Sequence, residues 1–262
     1  MELLRFESGV LQVTETTTIN HQLNHRTIRS FKQKKLTQEQ LKLLEEVVNQ
    51  TPTSMFMQQR SVLHLTDPVK CSEVQKISGQ SYVGASGDLF IFIVDLYRNQ
   101  QIRQEAGLDD GRLHSTDIFL QGVEDTVLAV QNFVTAAESM KLGTVILGSI
   151  NNDPAKLIQV LQLPRLTFPI LGVQVGVANQ QPQLKPRLPL NLNFFENEYP
   201  IRQKNSDLLD YDKIVETYYD LRQANRRIDS FTNQVCSAKL GNKITQRDQL
   251  QRVLHAQGLC LK

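Results

Sequence analysis

Residues 88–96, Asp-Leu-Phe-Ile-Phe-Ile-Val-Asp-Leu, form a run of strand length that is apolar almost throughout. A strand with one wet face alternates, whereas a continuous apolar run marks a strand covered on both faces. Thr144–Ile150 (TVILGSI) and Phe168–Val177 (FPILGVQVGV) share that character, and Ser61–Thr66 (SVLHLT) alternates and reads as a further strand. The helices needed to cover such a sheet lie between these runs. Leu36–Gln50 carries the capping pair Thr37 and Gln40, places Leu41, Leu44, Val47 and Val48 on one face, and meets Pro52 just beyond its end. Val69–Ile77 is a short helix halted by Ser78-Gly79. Ser115–Met140 is the longest, with Val123, Val127, Val130, Val134 and Ala137 as its stripe and Leu142-Gly143 as its stop. Asp153-Pro154 opens another, and two more follow near Asp212–Ala224 and Thr245–Ala256. The alternation points to a central sheet covered by helices, of the mixed α/β or α+β kind.

Bulk properties narrow the function classes. The chain has 262 residues, 40% of them hydrophobic and 21% charged, as in ordinary globular proteins. No apolar run is long enough to span a bilayer, and Met1–Thr18 lacks a basic region followed by an apolar stretch, so a cytoplasmic protein is expected. A formal charge of +2 gives no global field for nucleic acid. Cys71, Cys236 and Cys260 are few and far apart, and no histidine cluster has zinc-ligand spacing, so neither a disulfide framework nor a metal site is expected.

Familiar nucleotide and catalytic motifs are missing: there is no GxGxxG after a strand, no Walker loop, no GxSxG elbow and no HExxH. Gly84-Ala85-Ser86-Gly87 approaches a serine elbow but with the wrong spacing. Three basic clusters remain. His25-Arg26-Thr27-Ile28-Arg29 places two guanidiniums three residues apart, which on a helical turn share a face and suit a phosphate. Leu184-Lys185-Pro186-Arg187-Leu188-Pro189 holds two cations on a backbone stiffened by proline. Arg222 to Arg227 ends a helix, where cations also complement the dipole. Taken singly, the first reads sooner as a solvated basic face than as an anion site, the second is only suggestive beside a stiff surface turn, and the third serves the helix dipole as well as a phosphate.

In this order the pieces resemble the nitroreductase family, specifically its NADPH-dependent flavin reductase and oxygen-insensitive nitroreductase branch. The markers are HRTIRSF, TPTSMFMQ, SGQSYV, AAESMKLGTVILGSINN, LKPRLP, YYDLRQANRRIDSF and HAQG. The resemblance covers about Thr18 to the C-terminus and leaves about 1–17 as an N-terminal extension and about 178–262 as a C-terminal excursion with helices, within a single domain, 1–262.

The resemblance implies an α+β fold with a central mixed sheet, an intertwined homodimer, and FMN at the interface. His25, Arg26, Thr27 and Arg29 would meet the phosphate, ribityl chain and pyrimidine edge, with Lys185 and Arg187 completing the phosphate clamp. Thr53, Ser54 and Gln58 would come from across the interface. Gln80 and Tyr82 would hold the cofactor, and Leu147, Gly148 and Ser149 would lie against the isoalloxazine. Arg222 and Arg227 would bind NADPH. Met55 and Phe56 would line the substrate pocket, Met55 standing where the family often has serine and tilting acceptor preference toward apolar compounds. The implied activity is hydride transfer from NADPH to small oxidised acceptors (nitroaromatics, quinones, flavins) by a ping-pong mechanism. A non-catalytic flavin-binding, redox-responsive protein is the alternative; it would not need the Arg222/Arg227 pair. An anion- or nucleic-acid-binding domain using the Arg26–Lys35 stripe is a third reading, opposed by the near-neutral charge.

Overall fold

A computed structural model describes residues 16–200, 204–222, 229–238, 240–242 and 244–262. Its helices, in chain order, are α1 (Thr17–Leu23), α2 (Gln38–Asn49), α3 (Pro68–Ser78), α4 (Tyr97–Glu105), α5 (Thr116–Ser139), α6 (Pro154–Leu161), α7 (Leu209–Arg222), α8 (Phe231–Val235) and α9 (Leu250–Ala256). The strands are β1 (Arg60–Leu65), β2 (Asp88–Asp95), β3 (Gly143–Leu147) and β4 (Thr167–Gly176), in the spatial order β1-β2-β4-β3.

The expected α+β architecture is present, with one correction: the sheet is antiparallel, not mixed, in all three of its ladders. The single parallel element among the described residues is an isolated bridge between Thr27 and Thr144. Burial on both faces reports how a strand is covered, and says nothing of its direction. In β2, Leu89, Ile91 and Ile93 pack with α3 and α6, while Phe90 and Phe92 pack on the other face with α2 and α5. The layers are therefore helix, sheet, helix, and β2 runs through the middle of both cores.

Local chemistry sets the boundaries. Thr37 and Gln40 form the expected capping box at α2, and Asp67 caps α3, which ends at Gly79 in the left-handed region (φ +64°). α5 stops differently from expectation: Lys141 takes the left-handed turn (φ +61°), and Gly143 already belongs to β3. Val127 faces solvent, and the buried face of α5 instead runs through Ile118, Phe119, Gly122, Asp125, Thr126, Ala129, Val130, Phe133, Val134 and Ala137. Gly87, in the loop that approached a serine elbow, is a packing glycine: it has φ +71°, and a Cβ there would sit 2.4 Å from the Val175 carbonyl oxygen. That loop is pinned by fully buried Gln174, whose amide accepts from the Gly84 N–H (2.7 Å) and donates to the carbonyls of Tyr82 (2.9 Å) and Ser86 (2.7 Å).

The tail returns to the domain. Gln257 donates to the carbonyls of Pro164 and Thr167, the Leu166 N–H donates back to Gln257, and Leu259 is fully buried. No helix of the described residues is long and apolar enough to cross a membrane.

Candidate functional site

The basic cluster at His25–Arg29 is extended rather than helical, so the expected shared face of a helical turn does not form. It is held against the sheet by an isolated bridge between Thr27 and Thr144. The Ile28 N–H donates to the Thr144 carbonyl (2.8 Å), and Ile28 packs over Gly143, where a Cβ would lie 2.7 Å from its Cγ1. Phe31 bridges Ala178, and the Asn179 N–H donates to the Ser30 carbonyl. The first bridge fixes the cluster to the edge of the sheet. The second brings in the chain that continues from β4 toward residues 180–187.

The result is one cavity of about 440 Å³ lined by His25, Arg26, Thr27, Arg29, Lys185 and Arg187, together with Gln180–Gln183 and Tyr218. Two stretches more than 150 residues apart in sequence thus converge. Among the described residues four cations line the cavity and no carboxylate does, so its potential favours an anionic occupant. The Lys185–Arg187 turn is held by its prolines and by the Tyr211 hydroxyl, which donates to the Pro186 carbonyl (3.3 Å). Glu138, quoted above only as part of a motif, organises the rear: its Oε1 lies 2.7 Å from His25 Nδ1 and accepts from the Thr144 hydroxyl (2.8 Å). A carboxylate only accepts, so Nδ1 carries the proton of this pair.

Thr53, Ser54, Met55, Phe56 and Gln58 lie elsewhere on the same chain, and Met55, Phe56 and Gln58 line a different cavity. Buried Asp125 clamps their loop, accepting from the N–H groups of Ser54 (2.7 Å) and Gln59 (3.0 Å), while the Ser54 hydroxyl donates to Gln121 (3.2 Å). Met55, Phe56 and Gln58 all have positive φ (48°, 61° and 50°), a strained conformation for side chains of this size that the clamp maintains. The strain leaves Met55 63% and Phe56 81% exposed. Asp125 escaped the sequence reading, although a carboxylate on an apolar helix face was the available signal.

Gln80 is exposed, with its N–H donating to the Ser78 hydroxyl, and Tyr82 is half-buried against the α3–α6 core. Neither lines the basic cavity. Leu147 ends β3, and Gly148 and Ser149 open a short 3-10 turn, Gly148–Asn152, tethered by the Arg247 guanidinium, which donates to the carbonyls of Gly148 and Asn151. Arg222 is the last described residue of α7, and Arg227 lies outside the described residues.

The nitroreductase family pattern matches residues 23–177, and the pattern of the family's C-terminal domain matches residues 185–262. The chain belongs to the nitroreductase family. An NADPH-dependent oxidoreductase of Staphylococcus aureus is 34% identical over 235 residues, covering 87% of this chain and 93% of that protein. Among solved structures, the NfrA1 nitroreductase of B. subtilis superposes with a TM-score of 0.87 at 33% identity, covering 94% of this chain and all of that one. The NADPH:FMN oxidoreductase of Vibrio harveyi, solved with NAD+, gives 0.84 at 29% identity, covering 94% of this chain and 100% of the other. The second family match begins at Lys185, on the far wall of the basic cavity, so the cavity joins the two matched segments.

Proposed function

We propose that this oxidoreductase of the nitroreductase family uses NADPH and FMN to reduce small oxidised acceptors, among them nitroaromatics, quinones and flavins, by a ping-pong mechanism. The observation that carries the reading is the basic cavity, whose donor set suits a flavin phosphate: guanidiniums and an ammonium on the lining, with no carboxylate there among the described residues. Arg26, Lys185 and Arg187 would bind that phosphate, and His25, Thr27 and Arg29 the ribityl chain and pyrimidine edge. Gln80 and Tyr82 would hold the cofactor, with Leu147, Gly148 and Ser149 against the ring. When bound, the flavin supplies the two-electron chemistry, accepting from the nicotinamide and giving to the acceptor in alternate half-reactions.

The chain's own residues bind and orient. Glu138 keeps the His25 imidazole in one tautomer and one orientation. Arg247 holds the Gly148–Asn152 turn in place. Thr53, Ser54 and Gln58 would complete the site from a second copy of this chain, which fits their exposed, strained loop and their separation from the basic cavity within one chain. The chain works as a single domain in a cytoplasmic homodimer, its closing residues tied back to the domain through Gln257 and Leu259. Arg222 and Arg227 would bind the 2′-phosphate of NADPH, and Met55 would favour apolar acceptors.

The visible absorption spectrum of the purified protein, followed by anaerobic addition of NADPH, tests the reading. Flavin bands that bleach promptly support it. A colourless protein that neither takes up added FMN nor oxidises NADPH overturns it, while bound flavin that NADPH leaves oxidised favours a non-catalytic flavin protein. An unchanged KM for NADPH in the double variant Arg222→Ala, Arg227→Ala would remove those two residues from the scheme. Met55→Ser should lower the ratio of naphthoquinone to nitrofuran turnover.

A further inference from the structure

The residues assigned above to the flat of the flavin ring, Leu147, Gly148 and Ser149, do not line the basic cavity, nor do Gln80 and Tyr82. On that assignment the ring meets the cavity at its pyrimidine edge, and the rest of the volume, about 440 Å³ in all, is left for the cofactor's tail. Cavities of that size enclose whole drug-sized molecules, of which a single phosphate is a small part.

The lining says what else the tail can carry. Arg26 and Arg29 stand on the wall bridged to β3, and Lys185 and Arg187 on the wall that continues from β4. A pyrophosphate spreads its negative charge over two phosphorus centres, and cations on two walls serve such a group better than a single point of charge. Away from the cations the character of the lining changes. Gln181 and Gln183 are exposed, line the cavity and hydrogen-bond to no described residue. A primary amide presents a donor and an acceptor side by side, the pair that matches the N6 and N7 edge of adenine. Tyr218 of α7 adds an aromatic ring to the same lining and packs against the cluster of Tyr211 and Val215. Aromatic side chains among basic residues form surfaces on which bases stack. A lone phosphate needs neither the amides nor the ring.

We propose that the basic cavity accepts the adenylate of a flavin dinucleotide as well as the phosphate of a mononucleotide, so that this chain loads FAD as well as FMN. The pyrophosphate would lie between the two basic walls, and the adenine would meet Gln181, Gln183 and Tyr218. The inference rests on the flavin reading above and goes beyond it in the choice of cofactor.

The test is dialysis of the full-length protein to exchange equilibrium against an equimolar mixture of FMN, FAD and riboflavin, after which the bound flavins are released and separated. FAD is expected to be bound within about tenfold of FMN, and riboflavin about a hundredfold less than FMN because it lacks the charge-assisted bonds. Gln181→Ala combined with Gln183→Ala alters two exposed side chains, so the fold is retained. It removes the hydrogen bonds to the base and should lower the ratio of bound FAD to bound FMN by about five- to tenfold. FMN bound with FAD more than about tenfold below it would overturn the inference and leave the flavin reading standing. A ratio that the double variant leaves unchanged would overturn it as well. A protein that takes up no flavin of any kind fails the flavin reading itself, and this inference with it.

Discussion

At the scale of single residues, two buried carboxylates do opposite kinds of work. Asp125 holds a strained loop by accepting two main-chain N–H groups. Asp125→Ala leaves both without an acceptor and should destabilise by about 2–4 kcal/mol in urea denaturation; a loss below about half a kcal/mol would show that the loop needs no clamp. Asp88 sits at the start of β2. Burial alone would raise its pKa, but hydrogen bonds from His64 and the Leu36 N–H, with Lys35 nearby, outweigh burial and hold it below the usual carboxylate value. A lowered folded-state pKa means that the unfolded chain binds the proton more readily. The Asp88 contribution is therefore complete well above the unfolded value of about 3.9 and is lost as pH falls through the folded one. Denaturation midpoints measured down an acid series should fall less steeply for Asp88→Asn than for the parent. The cavity-lining cations were legible residue by residue, because phosphate chemistry demands those side chains. Glu138, Asp125 and Gln174 were not, because their roles are set by backbone groups distant in sequence that only the fold supplies.

At the scale of elements, the four strands and the longer helices were readable from apolar periodicity and caps; strand direction and the exposed side of α5 were not. Val127 illustrates the reason: its spacing fits the stripe, but the sheet contacts a face rotated away from it, toward Thr126 and Val130. α4 gave no signal because none of its residues is buried. The His25–Arg29 segment lacks strand periodicity as well, being held by one parallel bridge and by the Gly143 contact. Gly143→Ala would push Ile28 off the edge and should cost about 1–3 kcal/mol, with weaker flavin retention as the functional readout. The closing segment is also structural. Leu259→Ala should destabilise by about 2–5 kcal/mol and lower the melting temperature by about 5–15 °C; a thermogram unchanged by the variant would show that the tail is dispensable.

At the scale of the molecule, the exposed Met55–Phe56–Met57 knuckle gives the homodimer its most direct test. Large apolar side chains held outward by a strained backbone mark an interaction surface. Sedimentation should return about twice the chain mass of 29.9 kDa, and Phe56→Asp should shift it toward one chain while lowering flavin content. A parent protein that sediments as a monomer would remove the second copy from the site. Assembly of this kind enters a reading of one sequence only through the family resemblance, because a strand or loop that would complete a neighbour's cavity looks like any other exposed segment. The bridges from Thr27 to Thr144 and from Phe31 to Ala178 also set a timetable for biosynthesis. The front wall of the basic cavity leaves the ribosome with residues 25–29, but its far wall waits for residues 185–187. At ordinary translation speeds that interval is on the order of 10–30 s. A nascent chain stalled anywhere within it carries half of an anion site, so an anion that needs both walls binds only after residues 185–187 have emerged.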